Sequence, residues 1–261
     1  METALITGTT SGIGKSFAEK FASQGYNIIL VARNEEKLKQ QQEYLQSQYG
    51  ITVKYIAYDL TQTNSADLIV EEIKNWKFSV DFLINNAGFN ECGLFTDTDI
   101  NKELEMINLH IHFITKLTKY ILPIMKKNNY GRILNVGSTG SFIASPSDAV
   151  YSATKAYIMS FSNALYGELA KTGIRVTTLC PGATKTEFAS KANIENTILF
   201  KLAVMKPDKV VEIAYPKLIK GKRIIIPGLY NKLLILFSKI TPVSITNKIT
   251  LIMMKRQFKG V

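Results

Sequence analysis

The feature of this sequence that most restricts its fold is an alternation. Short runs rich in β-branched and apolar residues occur at TALIT (3–7), NIILVA (27–32), VKYIAY (53–58), VDFLIN (80–85), RILNVG (132–137) and RVTTLC (175–180). Between them, stretches with helical apolar spacing cover 13–24, 35–48, 64–75, 99–127 and 150–171. Strands that are apolar almost throughout, not just at every second residue, belong to a sheet covered on both faces, and strand–helix alternation makes such a sheet parallel. KRIIIPG (222–228) reads as a final strand. The expectation is a doubly wound α/β fold. No Pro- or Ser-rich linker divides the 261 residues, so they read as one domain. Ligands of such folds sit beyond the C-terminal ends of the strands, and the motifs below all fall there.

TGTTSGIG (7–14) follows the first run and opens the first helical stretch. Gly8, Gly12 and Gly14 remove Cβ atoms where backbone must turn sharply or come close to a ligand. The free N–H groups of a helix start suit phosphate, and Thr10 and Ser11 add hydroxyls. In this strand–turn–helix setting the pattern predicts a dinucleotide. An acid about 20 residues further on would hold the ribose 2′-hydroxyl of NAD, whereas an Arg accommodates the 2′-phosphate of NADP. Arg33 occupies that place, followed by Asn34. The spacing therefore favours NADP(H), with NAD(H) as the second candidate.

YSATK (151–155) sets Tyr151 and Lys155 four residues apart. On a helix their Cβ atoms would lie about 5–6 Å apart on one face. A free phenol titrates near pH about 10, and a neighbouring cation favours its ionised form. Such a Tyr could exchange a proton near neutral pH. Twelve Tyr in a Lys-rich chain make one such pair unremarkable by itself, so its companions decide the matter.

Those companions are NNAG (85–88), Asn108 in MINLH, Ser138 in GSTGS, thirteen residues before Tyr151, and PGATKT (181–186). Together, in this order, they resemble the short-chain dehydrogenase/reductase family from Thr3 to about Gly228. The resemblance implies a seven-stranded Rossmann-type sheet in a single domain (1–228) and a nicotinamide-dependent oxidoreductase. It assigns Tyr151 as the acid–base residue and Lys155 as the group that lowers the pKa of Tyr151 and holds the nicotinamide ribose. Ser138 would hydrogen-bond the substrate oxygen. Asn108 would hold, through its helix backbone, a water relaying protons to Lys155. Around the cofactor it places Ile13, Asp59 and Leu60, then Asn86, Ala87 and Gly88, and finally Pro181, Gly182, Thr184 and Thr186. The implied substrate is a small-molecule carbonyl or alcohol. Residues 187–206 would form its lid, and the apolar TILFKLAVM within it suits a hydrophobic ketone, aldehyde or acyl chain. The family's usual dimer faces, here 99–127 and 150–171, imply a homodimer. A non-catalytic dinucleotide-binding sensor on the same fold is the alternative. Degenerate members usually lose the Tyr or the Lys, and all four catalytic-type residues are present here.

Charge and residue spacing narrow the remaining classes. The formal net charge is +11, but residues 1–200 hold nineteen charges of each sign. The excess lies in residues 201–261, with thirteen Lys/Arg against Asp208 and Glu212. A nucleic-acid binder would spread a basic surface differently, so no nucleic-acid partner is expected. The segment 229–261 reads as a basic amphipathic helical extension. Its first reading is a pair of helices over the substrate pocket with solvated lysines; weak peripheral contact with an anionic membrane is the other. No apolar run reaches the roughly 18 residues of a membrane span. The start METALITG enters a strand at once and reads as no signal peptide. Cys92 and Cys180 fit no metal-ligand spacing, and so few cysteines suggest a reducing compartment, hence the cytoplasm. No metal site is expected. His110 and His112 stand two apart and read as helix-face residues.

Overall fold

The computed structural model describes residues 1–192, 194–198, 200 and 204–254. Strands β1 (Thr3–Thr7), β2 (Asn27–Ala32), β3 (Val53–Ala57), β4 (Phe82–Asn85), β5 (Gly131–Val136), β6 (Ile174–Leu179) and β7 (Ile224–Ile225) form one parallel sheet, ordered β3-β2-β1-β4-β5-β6-β7. Helices α1 (Gly12–Ala22), α2 (Glu35–Tyr49) and α8 (Pro207–Ile219) lie on one face. On the other lie α3 (Ser65–Asn75), α5 (Ile114–Lys127) and α6 (Ala149–Glu168).

Strand alternation divides the core. Ala4 and Ile6 of β1 face α1 and α8, while Leu5 between them joins Leu83, Ile114 and Ile158 on the other side. All are fully or almost fully buried. This two-sided demand is why the strands are apolar throughout. Truncating one such residue, as in Leu5→Ala, costs about 2–5 kcal/mol.

Two expected elements differ. The stretch 99–127 is not one α-helix: α4 (Ile100–Ile107) passes into a π-helical segment, Asn108–Phe113, before α5 begins. Such widened turns change which carbonyls are bonded inside the helix and often mark functional sites. The last strand is two residues long, not seven. It pairs only with Thr178 and Leu179, because Pro227 has no N–H to donate and Gly228, at φ 86°, turns the chain away.

The strand order reverses beside β1, whose neighbours are β2 and β4. The loops that leave β1 and β4 therefore diverge to opposite faces and open a crevice between them. Helices α9 (Leu229–Ile240) and α10 (Val243–Met254) follow β7. Residues 255–261 of the expected extension, and residues 193, 199 and 201–203 of the expected lid, lie outside the described residues.

Candidate active site

The crevice is a cleft of about 510 Å³. One wall is the β1–α1 loop. Gly8 and Gly12 adopt φ of 71° and 57° there, conformations that suit glycine. Gly14 does not line the cleft but permits the loop to close, since a Cβ there would lie 2.2 Å from the Gly8 carbonyl oxygen. Thr10, Ser11 and Ile13 complete this wall. Asn86, from NNAG, ties the loop to β4: its Nδ2 donates to the carbonyls of Thr7 (2.9 Å) and Gly8 (3.2 Å). The N–H groups of Asn86 and Ala87 both donate to Thr7 Oγ1 at 3.0 Å.

The start of α1 fits a phosphate-bearing ligand. Ser11 at its N-cap makes no side-chain capping bond, and no acid stands in the first turn. The leading N–H groups are thus left to an incoming anion. At the end of β2, Arg33 is exposed beside the cleft and makes no ion pair among the described residues. Asn34 also lines the cleft, while its Oδ1 caps α2 by accepting from Lys37 N at 2.8 Å. Asp59 holds its own loop, with Oδ1 accepting from the N–H (3.0 Å) and hydroxyl (2.9 Å) of Thr61, and Leu60 and Gly88 are further lining residues. The opposite wall comes from Pro181, Gly182 and Thr184, and from Thr186, which caps α7 (Glu187–Lys191). Across the cleft mouth, Lys37 of α2 lies 3.7 Å from Glu187 of α7. These residues fit a dinucleotide with a negatively charged backbone.

Ser138, Tyr151 and Lys155 meet at the inner end. Ser138 leaves β5 and caps a 3₁₀ turn, Thr139–Ser141. Its hydroxyl accepts from Gly140 N at 3.1 Å and stands close enough to the Tyr151 hydroxyl to favour its ionised form. Tyr151 and Lys155 rise from the first turns of α6. Lys155 is 4% exposed; its Nζ donates to the Val136 carbonyl at 2.9 Å and lies 5.5 Å from the Tyr151 ring centre.

Burial governs the protonation of this group. It pushes the Tyr151 hydroxyl well above its ordinary value, with the nearby Ser138 hydroxyl pulling the other way. It pushes the Lys155 ammonium down to about 8. The expected lowering of Tyr151 by Lys155 is therefore not found: desolvation raises Tyr151, Ser138 is the group that lowers it, and Lys155 is not among its causes. Cys180, buried beside them, is pushed up to about 12 and stays a thiol. Asn108 begins the π-helical segment and does not line the cleft.

Two neighbours depart from the sequence reading or escaped it. His110 is not a surface residue of its helix. It is fully buried, with its ring 6.0 Å from that of Tyr151. Nδ1 lies 2.9 Å from Thr154 Oγ1, whose own hydroxyl donates to the Tyr151 carbonyl. That order makes Nδ1 the protonated nitrogen and leaves buried Nε2 without a partner among the described residues. Burial, then the Lys155 charge, hold the imidazole well below its ordinary value, so it is neutral. Its burial follows helical spacing, since Met106, Phe113 and Ile114, three or four residues away, are buried too. His112 is exposed. Asp148, three residues before Tyr151, is the second. Its buried carboxyl accepts from Asn90 Nδ2 at 2.9 Å, and burial pushes it up to about 6. An acid at a helix start reads from sequence as a simple cap, yet Asp148 makes no capping bond.

Behind Tyr151 lies a smaller, mostly apolar cavity of about 120 Å³. Its walls include Gly140, Ile143 and Tyr151 on one side, and Leu234, Phe237, Ile249 and Met253 of α9 and α10 on the other. The described part of the lid packs nearby, with Ala189, Ala192 and Ile194 against Met254 of α10.

Comparison with known proteins agrees with this geometry. Residues 2–197 match the family described as short chain dehydrogenase. An uncharacterized oxidoreductase of Staphylococcus epidermidis is 32% identical over 183 residues, 70% of this chain and 78% of that protein. A very-long-chain 3-oxoacyl-CoA reductase of Rattus norvegicus is 33% identical over 192 residues, 72% of this chain and 61% of that one. Among solved structures, a short-chain dehydrogenase from Sphingobium yanoikuyae in complex with NADPH superposes with a TM-score of 0.82 at 29% identity, covering 100% of this chain and 98% of its own. The chain belongs to the short-chain dehydrogenase family. It is an oxidoreductase that acts on CH–OH or C=O groups with a nicotinamide cofactor.

Proposed function

We propose that this protein interconverts a hydrophobic ketone or aldehyde and its alcohol, with NADP(H) as the preferred cofactor and Tyr151 as general acid and base. The observation that carries this reading is the meeting of Ser138, Tyr151 and Lys155 where the dinucleotide-shaped cleft adjoins an apolar cavity. Bound in the cleft, the nicotinamide supplies or takes up a hydride. The chain supplies the rest. As a carbonyl is reduced, negative charge develops on its oxygen. Tyr151 Oη, kept protonated by burial and aimed by Ser138, gives its proton to that oxygen; such general acid catalysis contributes about 10²–10⁴-fold. The Ser138 hydroxyl stabilises the developing charge by a second hydrogen bond. Lys155, which titrates at about 8, holds a proton at neutral pH and returns it toward Tyr151, with the Asn108 backbone as the proposed holder of the relaying water. In the oxidising direction each transfer runs backwards.

Arg33 supports the NADP(H) preference, because an exposed guanidinium at the end of β2 suits a 2′-phosphate; the NADPH-bound relative agrees with it. The glycine loop, Asp59, Asn86 to Gly88 and the Pro181–Thr186 segment would hold the remainder. The apolar walls behind Tyr151, together with the long-chain acyl name of one relative, support a hydrophobic substrate. A homodimer through α4, α5 and α6 completes the proposal; Ile100 and Leu104 of α4 are exposed there. A cytoplasmic location rests on the scarcity of cysteine.

The test follows NADPH consumption against ketones, aldehydes and β-ketoacyl thioesters of rising apolar size. Turnover should rise with apolar size and be faster with NADPH than with NADH. No turnover of any member with either cofactor would refute the reading.

A further inference from the structure

Helices α9 and α10 each have two apolar faces. The inner face of α9 buries Asn231 and Ile235 against the domain. Its outer face carries Leu229, Leu233, Leu236, Phe237 and Ile240, all exposed, with Leu229 at 71% and Ile240 at 77%. These recur in steps of three and four residues, so they form one stripe. Helix α10 repeats the pattern: Met254 is buried, while Ile245, Ile249 and Ile252 are exposed on a common line. A helix that is apolar all round is ordinarily covered all round. Nothing among the described residues covers these outer faces.

The charge around the stripe indicates what does. Lys232, Lys239 and Lys248 are exposed on these two helices. From Ile213 to Val261 the sequence has ten Lys/Arg and no Asp or Glu. A second copy of this face would set lysine against lysine, which disfavours self-pairing. An apolar stripe with charges of one sign fits a partner that is apolar within and negative at its surface. No helix among the described residues is long and apolar enough to cross a membrane, so the contact is with the surface layer. Phe237 and Ile249 belong both to the exposed face and to the cavity that reaches Tyr151.

We propose that α9 and α10 seat this protein on an anionic lipid bilayer, with the cavity between them and Tyr151 opening toward the lipid. The second clause rests on the reading of Tyr151 given above; the first does not. The test accordingly uses binding rather than turnover. The full chain is sedimented with vesicles of phosphatidylcholine alone and with vesicles containing phosphatidylglycerol, at low and high salt. Binding to the anionic vesicles should be at least about tenfold tighter and should weaken with salt. The triple substitution Leu233→Gln, Leu236→Gln and Ile252→Gln should weaken it by about tenfold or more. It should leave the melting temperature and NADPH affinity unchanged, since none of the three lines the cleft or the cavity. Lys232→Glu with Lys239→Glu should weaken it similarly. The proposal is overturned by absence of binding to anionic vesicles at low salt, or by binding that survives the triple substitution. It is also overturned if wild-type protein is a dimer that the triple substitution dissolves, because the face then belongs to a second copy.

Discussion

The ammonium of Lys155 lies 5.5 Å from the centre of the Tyr151 ring, and both groups are desolvated by the same enclosure. Each charged form is disfavoured, so Tyr151 keeps its proton at neutral pH without cost, whereas the protonated Lys155 is held there at a cost in stability. Lys155 falls to about 8 from an ordinary 10.5. Between those values the unfolded chain keeps a proton that the folded chain has lost, so stability rises with pH across that window. Wild type should gain about 3 kcal/mol of unfolding free energy relative to Lys155→Met from pH 8 to pH 10.5. Chemical denaturation along a pH series measures it. A flat difference would mean that Lys155 is solvated.

Asp148 has the opposite slope. Its carboxyl titrates at about 6 when folded against an ordinary 3.8. Across that interval the folded state keeps a proton that the unfolded state loses, so stability falls as pH rises. Asp148→Asn keeps an acceptor for Asn90 and removes the titration. The variant should lose the decline between pH 4 and 6 that wild type shows, read by the same unfolding series. An unchanged profile would remove Asp148 as its source.

Two glycines should respond oppositely to the same change. At Gly14 a methyl would meet the Gly8 carbonyl oxygen at 2.2 Å, backbone that cannot step aside. Gly14→Ala should cost about 1–3 kcal/mol, a fall in melting temperature of roughly 2–10 °C. At Gly167, within α6, an added methyl would meet nothing within 4 Å, so Gly167→Ala should be neutral or stabilising by up to about 1 kcal/mol. Thermal melts of the two variants decide. Equal shifts would show that the loop relaxes.

Arg33 makes no ion pair among the described residues and stands open beside the cleft. Charge-assisted hydrogen bonds to a 2′-phosphate contribute about 1.5–3 kcal/mol, a preference for NADPH over NADH of roughly 10- to 150-fold. Arg33→Ala should reduce that ratio to a few-fold or less. Lys37, in the first turn of α2, lines the same cleft and would account for any remainder. Fluorescence titration with both cofactors reads the ratio; equal wild-type affinities would contradict the assignment.

The sheet was legible because its physics is local and repetitive. A strand covered on both faces must be apolar almost throughout, and β1 and β2 show it directly. The glycine loop was legible for a related reason, since close backbone approach leaves no alternative to glycine at Gly14. What escaped depended on tertiary context. The two-residue β7 is set by Pro227 and Gly228 acting on a run that otherwise reads as a full strand. The inward face of His110 is legible in its spacing from Met106, Phe113 and Ile114, but its contacts with Thr154 and Tyr151 are not, because those residues come from a helix distant in sequence. Asp148 gave no signal at all: its burial comes from Asn90 and the tail helices, far away in sequence. The outer faces of α9 and α10 were visible only as apolar letters until the fold showed which of them it leaves uncovered.

The mechanism proposed for this site turns on a single proton, the one Tyr151 carries. Tyr151→Phe keeps the ring, its packing against His110 and Phe188, and the walls of the cleft, and removes only the hydroxyl. With any carbonyl that wild type reduces, steady-state rates of NADPH oxidation should show kcat at least about 100-fold lower in the variant. The dissociation constant for NADPH should stay within a few-fold of wild type. Turnover near the wild-type rate would contradict the assignment of Tyr151 as the acid, and with it the mechanism proposed for this site.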